Sequence, residues 1–250
     1  MTLKEFFDDT PKAALALSGG TDSVFLLHEA VKYGADVKAY YVKSAFQPQF
    51  ELDDALKAAE EFGAKMEVLE VDVLKNDEVT RNPADRCYHC KKVVFGTIAK
   101  AAAGDGYRIL LDGTNASDDD SDRPGSRVLR ELSVLSPLRL CGLTKDRIRE
   151  LSREEGIFTW NKPAYACLAT RIPTGTVITQ DLLKNTELAE NYLFSEGFTD
   201  FRVRYLNGAA KIQVTNDQLM TLIERREKIV KELGQWYTDV YLDLKTRDGD

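Results

Sequence analysis

The stretch that most constrains this chain is Ser18-Gly19-Gly20-Thr21-Asp22-Ser23. The short apolar run before it, Ala13-Ala14-Leu15-Ala16-Leu17, reads as a buried parallel strand. The run after it, Val24 to Val31, has helical length and composition. The hexapeptide therefore sits where the C-terminal end of a strand meets a helix N-terminus. Main-chain N–H groups there lack helical partners and carry partial positive charge, which suits phosphate. Gly19 and Gly20 let the backbone approach an anion with no Cβ in the way. Ser18, Thr21 and Ser23 add hydroxyl donors, and Asp22, which would repel phosphate directly, fits the task of binding magnesium. A Gly-Gly pair alone would equally serve an ordinary serine-capped turn. The full string between strand and helix is more specific, and without a following Gly-Lys-Ser/Thr it is not a Walker loop.

The string resembles the PP-loop of the ATP pyrophosphatases. That resemblance implies an enzyme that splits ATP into AMP and pyrophosphate while adenylating a substrate.

Strand and helix signals alternate through the first two thirds. Strands are expected at Val37–Val42, Lys65–Val71 and Arg108–Asp112, and helices over about 50–62 and 91–103, with 72–86 polar and irregular. Thr144 reads as the cap of a helix running to Glu155 and closed by Gly156. This β-α repetition predicts an α/β fold: a doubly wound parallel sheet with helices on both faces. Ligands on such sheets bind beyond the strand C-termini. That edge carries 18–23, the segment after Val42, and Asp112-Gly113-Thr114-Asn115. An aspartate-dense loop follows, with Asp118, Asp119, Asp120 and Asp122 before Arg123-Pro124-Gly125. It reads as a solvated loop placed where one carboxylate could reach the magnesium or the substrate.

The pattern changes near Trp160. Residues 1–160 form the first domain, 161–176 an ordered connecting loop, and 177–250 a small α+β domain. The last has helices over about 181–196 and 217–233 and strands at 201–205, 210–214 and 239–244. Asn207-Gly208 between the first two strands is a hairpin signal.

Bulk numbers exclude some classes. No apolar run approaches the roughly 20 residues that span a bilayer. Residues 1–9 lack a basic region followed by an apolar stretch, so a cytosolic chain is expected. The net charge of −7 argues against a long nucleic-acid footprint, tRNA included.

In a reducing compartment the four cysteines suit ligation, nucleophilic chemistry or packing better than disulfides. Cys87 and Cys90 are spaced to reach one metal centre or each other, and Cys167 lies in the connecting loop. Three thiols can hold three irons of a 4Fe-4S cluster and leave the fourth open. They could instead bind zinc with His89, or be unlinked thiols. Cys141 reads as packing, and His28, in mid-helix, likewise. Arg202 and Arg204 alternate on a strand, so their guanidinium groups share a face. A phosphate between them would satisfy both, with Arg171 able to join; carboxylates such as Glu190 could pair with them instead.

Together these residues resemble the LarE family of PP-loop sulfur transferases, which build the nickel-pincer nucleotide. The resemblance rests on Ser18–Ser23, Arg86-Cys87-Tyr88-His89-Cys90-Lys91, Asp112-Gly113-Thr114-Asn115 and Asp122-Arg123-Pro124-Gly125. It continues through Trp160-Asn161-Lys162-Pro163, Ala166-Cys167 to Pro173, Glu190 with Gly197-Phe198, and Arg202-Val203-Arg204. It implies ATP and magnesium at Ser18–Ser23, Val42 and Gly113. It also implies adenylation of the carboxylates of pyridinium-3,5-biscarboxylic acid mononucleotide and their conversion to thiocarboxylates. One type of family member sacrifices a cysteine at the place where this chain has Ala166. This chain resembles the three-cysteine type, which implies a 4Fe-4S cluster on Cys87, Cys90 and Cys167 that carries sulfide from a sulfur donor. Arg171, Glu190, Arg202 and Arg204 would line the substrate site, and the C-terminal domain would build homo-oligomers, hexamers made of dimers. A tRNA thiolase or a non-catalytic nucleotide- or metal-binding protein are the rival readings.

Overall fold

A computed structural model describes residues 1–118 and 124–247. The chain divides into two compact units: Met1–Val73 with Asp85–Lys162, and Leu74–Ala84 with Pro163–Asp250.

In the first unit, helix α1 (Leu3–Asp9) opens on a capping box in which the Thr2 hydroxyl accepts from the Glu5 N–H and Glu5 accepts from the Thr2 N–H. Then follow β1 (Lys12–Ala16), α2 (Thr21–Lys32), β2 (Asp36–Lys43), α3 (Gln49–Glu61) and β3 (Lys65–Glu70). A short helix of the second unit, α4 (Asp77–Thr80), interrupts the series. The first unit resumes with α5 (Arg86–Gly104), β4 (Leu110–Leu111), α6 (Pro124–Glu131), α7 (Pro137–Leu140) and α8 (Lys145–Glu154). Thr144 caps α8, as its sequence predicts, by accepting from the Arg147 N–H.

The four strands run parallel in the order β3-β2-β1-β4. β1 is central, so it is apolar on both sides. Ala13 and Leu15 join the core formed by α1, α2, α3, α7 and α8, while Ala14 points into the one formed by α5 and α6. Helices therefore cover both sheet faces, as expected. β4 is shorter than its sequence suggests. Its next N–H, from Asp112, turns to the carbonyl of Leu135, and Leu135 donates back to Leu110. The chain at Leu135 thus adds an isolated parallel bridge on that side.

The second unit contains α9 (Gln180–Ser195), β5 (Arg202–Leu206), β6 (Ala209–Gln213), α10 (Leu219–Glu224), α11 (Arg226–Leu233) and β7 (Val240–Leu242). β5 and β6 form an antiparallel hairpin, and β7 pairs parallel with β6. Asn207 and Gly208 both take positive φ, 49° and 93°, which the tight turn of a right-handed hairpin requires. The single helix expected over 217–233 is split. Arg225 adopts φ −92°, ψ 6° and donates through its guanidinium to the Glu196 carbonyl. Residues 74–84 belong here because Asn82 donates to the carbonyls of Ile172 (3.3 Å) and Pro173 (2.8 Å) and accepts from the Gly175 N–H (2.8 Å).

Candidate functional site

The loop between β1 and α2 is fixed by contacts that allow little variation. Gly19 has φ +75°, and a Cβ there would stand 2.3 Å from the Glu51 carbonyl oxygen of α3. Only glycine fits. A Cβ on Gly113 would lie 2.9 Å from the Ser23 nitrogen, so the segment after β4 packs directly on the first turn of α2. Ser18 and Ser23 close the loop: their hydroxyl oxygens are 3.0 Å apart, and the Ser18 N–H donates to Ser23 Oγ at 3.2 Å. The Gly20 N–H donates to Ser18 Oγ at 3.3 Å. Within α2, Val24 is the first residue whose N–H reaches a carbonyl, that of Gly20 at 3.1 Å. The N–H groups of Thr21, Asp22 and Ser23 thus form the open positive end of a 12-residue helix. The Thr21 hydroxyl donates to the Thr159 carbonyl at 2.7 Å, so in this structure it anchors the loop.

Asp22 accepts from the Asn115 side-chain amide at 3.1 Å. Burial holds the Asp22 carboxyl above the usual carboxylate range, against the Asn115 hydrogen bond and with help from nearby Asp118. Asn115 in turn is oriented by Asp118, whose carboxylate accepts the Asn115 N–H at 3.0 Å. Of the aspartate-rich loop, Asp118 is thus beside Asp22, while Asp119, Asp120, Asp122 and Arg123 lie outside the described residues. Among the described residues no three His, Cys, Asp or Glu side chains are grouped to hold a metal ion by themselves. A half-buried carboxylate in the first turn of α2 nevertheless fits magnesium, which commonly takes one or two carboxylates and completes its shell with phosphate oxygens and water. Val42 lies near the end of β2, buried against the α5 side of the sheet.

Two residues that hold this loop had no role assigned from the sequence, although Lys162 stands in the quoted segment Trp160–Pro163. Lys162 Nζ donates to the Gly19 carbonyl at 3.0 Å and pairs with Asp54 of α3. Arg149 of α8 fixes the same segment, donating to the Trp160 carbonyl at 3.1 Å and the Lys162 carbonyl at 2.7 Å. The available signal was a lysine directly before a proline, where the chain leaves helical periodicity.

Cys87 and Cys90 are the second and fifth residues of α5, which starts at Arg86; the sequence places the start of that helix at about 91. Three apart on a helix, the two share a face. Both are reduced; Cys87 is exposed and Cys90 half-buried. Arg86 Nη2 stands 3.6 Å from Cys87 Sγ. Cys167 belongs to the second unit, is half-buried, and begins a 3-10 turn in which the Thr170 N–H donates to its carbonyl. Cys141 packs against the first core, and burial pushes its thiol pKa up. His28 packs edge-on against Phe62.

The second unit holds a cationic face with a buried ion pair inside it. Arg171, 1 % exposed, donates Nε to Glu190 Oε1 at 2.8 Å and Nη2 to Oε2 at 3.1 Å. Glu190 also accepts from the Val203 N–H at 2.9 Å and from the Tyr165 hydroxyl. These two therefore neutralise each other and lock β5 to α9. Arg202 lies over the Tyr165 ring at 5.2 Å and donates to the carbonyls of Phe201 and Ala164, both at 2.6 Å. Its carboxylate neighbour Asp200 is 3.8 Å away and is held more closely by Arg247 at 3.0 Å. Arg204 donates to the Thr170 carbonyl at 3.2 Å and to Gln213 at 3.4 Å. Burial pushes Arg202 down to about 10, and Arg171 and Arg247 push the same way. Arg204 is lowered by the same causes. Among the described residues Arg171 pairs with Glu190, Arg247 with Asp200 and Lys211 with Asp243, so the carboxylates nearest to Arg202 and Arg204 are already engaged by other cations. An anion would supply those two with a counter-charge.

The parallel sheet flanked by helices, with the string Ser18–Ser23 joining β1 to the start of α2, has the α/β arrangement of a PP-loop protein. Known sequences agree. The chain is 25 % identical to the tRNA-specific 2-thiouridylase MnmA of Thermotoga maritima over 233 residues, 75 % of this chain and 61 % of that protein. It is 33 % identical to the pyridinium-3,5-bisthiocarboxylic acid mononucleotide synthase of Lactiplantibacillus plantarum over 248 residues, 97 % of this chain and 89 % of that enzyme. It is 32 % identical to the uncharacterized protein slr1717 of Synechocystis over 223 residues, 89 % of this chain and 83 % of that one. No family model matches. The chain belongs to the LarE family, that of the Lactiplantibacillus plantarum synthase. Among the described residues no helix is long and apolar enough to cross a membrane.

Proposed function

We propose that this chain is an ATP-dependent sulfur transferase that adenylates the carboxylates of pyridinium-3,5-biscarboxylic acid mononucleotide and turns them into thiocarboxylates for the nickel-pincer nucleotide. The observation that carries this reading is the loop at α2, where Gly19 is sterically obligatory and the N–H groups of Thr21–Ser23 are open. Those groups would hold the triphosphate, and Asp22 would hold magnesium on it. A substrate carboxylate attacks the α-phosphorus and pyrophosphate leaves. The resulting acyl adenylate carries a good leaving group, and a sulfur nucleophile displaces AMP from it. Arg202 and Arg204 would bind the phosphate of the mononucleotide, with the Arg171–Glu190 pair positioning them from within. Cys87, Cys90 and Cys167 are soft thiol donors of the type that holds three irons of a 4Fe-4S cluster, which would supply the transferable sulfide. Work in the cytosol as a homo-oligomer belongs to the same reading, and light scattering checks the assembly.

The test is to incubate the anaerobically prepared protein with MgATP and the biscarboxylate mononucleotide, following pyrophosphate release and, by mass spectrometry, the gain of sulfur. Release that depends on the mononucleotide supports the reading. The likeness to MnmA favours a second substrate, tRNA, against which the net charge of −7 counts. Release that depends on tRNA instead would transfer the reading to a tRNA thiolase. ATP binding without release under either condition would leave a nucleotide-binding protein.

A further inference from the structure

The loop Ser18–Ser23 contains no cation of its own, and its only side-chain charge is Asp22. Its shape is imposed from outside, and two contacts converge on Gly19. The Gly19 Cα rests against the Glu51 carbonyl, and its own carbonyl accepts from Lys162 Nζ at 3.0 Å. Lys162 is itself held: its ammonium pairs with Asp54, lies 5.1 Å from the centre of the Phe50 ring, and is only 16 % exposed. The Glu51 carbonyl and the Asp54 carboxylate both belong to α3, so that helix bears on Gly19 directly and again through Lys162. The Lys162 main chain is fixed by Arg149, and three residues earlier the Thr159 carbonyl takes the Thr21 hydroxyl. Residues 159–162 therefore grip the loop before and after Gly20.

We propose that Lys162 is a positioning residue for the phosphate site. By holding the Gly19 carbonyl toward α3, Lys162 and Asp54 keep that acceptor turned away from the anion and leave the N–H groups of the loop to face it. A carbonyl oxygen facing the phosphates would repel them, so this orientation matters to a phosphate ligand and not to a nucleoside. The inference rests on the ATP reading of the loop, which it deepens. It assigns the loop geometry to a residue about 140 positions downstream, with a sequence separation of 143.

The experiment compares binding of MgATP and of adenosine to the unaltered protein, Lys162→Ala, Lys162→Arg and Asp54→Asn by calorimetry, with circular dichroism confirming the fold. Losing a hydrogen bond from a charged donor should weaken MgATP binding roughly ten- to a hundred-fold in Lys162→Ala. Adenosine binding should stay within about two-fold, and Lys162→Arg should restore part of the MgATP affinity. Asp54→Asn, which loosens the clamp while retaining Lys162, should weaken MgATP in the same direction by a smaller factor. Equal loss for MgATP and adenosine would mean a structural role only and would overturn the assignment. Tighter MgATP binding in Asp54→Asn would also overturn it, since Lys162 would then be acting on the phosphates directly, against a competing carboxylate. If the unaltered protein binds MgATP and Lys162→Ala binds it equally well, the assignment alone fails. If the unaltered protein binds none, the ATP reading fails and the assignment falls with it.

Discussion

The charged residues of the second unit fall into two kinds, those paired in its core and those that are not. Arg171 and Glu190 pair with one another through both ends of the guanidinium, with side chains 0 % and 2 % exposed. Removing one partner strands the other charge in the core, at a cost of about 3–5 kcal/mol. Glu190→Gln should therefore lower the melting temperature sharply. Arg204 is half-exposed, hydrogen-bonded only to a carbonyl and an amide among the described residues, and depressed by burial and like charges. Arg204→Gln should leave the melting temperature nearly unchanged and weaken binding of the mononucleotide, read by calorimetry. Asp22 can be separated in the same way by pH. Its folded pKa is raised above its unfolded value, so the folded state holds the proton more tightly. As pH rises from the ordinary aspartate range through the raised value, the folded state loses stability. Asp22→Asn should thus be more stable than the parent at neutral pH. The gap should close as pH falls below about 4, the ordinary aspartate value. The same variant should lose magnesium-dependent pyrophosphate release. Denaturant titrations at several pH values check the first outcome and a pyrophosphate assay the second.

At the scale of elements, what the sequence displays is what a single local pattern specifies. β1 is apolar at every buried position because helices cover both faces of the sheet, and that continuous run is visible. The Asn207-Gly208 turn and the Thr144 cap are equally local. The start of α5 is not, because Arg86 to Cys90 shows no apolar period and Asp85 caps it without a side-chain hydrogen bond. Lys162 and Asn82 were illegible for a different reason: their partners lie 143 and 90 residues away. Placing Cys87 and Cys90 inside the helix fixes their separation, which matters for any shared ligand. Cys87→Ala, Cys90→Ala and Cys167→Ala should each lower the iron content of anaerobic preparations and stop sulfur transfer while adenylation persists. Cys141→Ala should change neither, since its thiol is packed into the first core. Iron and sulfide assays beside pyrophosphate release check all four.

At the scale of the molecule, a chain of net charge −7 sets Arg202 and Arg204 two apart on one strand of its second unit, each with its pKa lowered by burial and by Arg171 and Arg247. Long-range attraction to polyanions is therefore weak, while a compact anion meets a strong local field. Asn82 is the residue on which the integrity of that unit can be tested. It is 1 % exposed, holds φ 53°, and donates to two carbonyls. Asn82→Ala should cost about 2–4 kcal/mol, from lost hydrogen bonds to buried acceptors and a left-handed backbone that alanine resists. Hydrogen exchange at the Gly175 and Ile178 amides, which donate to Asn82 and Thr80, should report the loosening first.

The path of the chain through its two units also bears on how the protein is made and inherited. A ribosome releases Asn82 90 residues before the carbonyl of Ile172 that it serves. Asn82 therefore meets that partner only after residues 85–162 of the first unit have been synthesised. A genetic cut at Pro163 would separate the second unit from part of its own interior. Recombination at that point would carry the second unit away without residues 74–84, and with them without the Asn82 contacts.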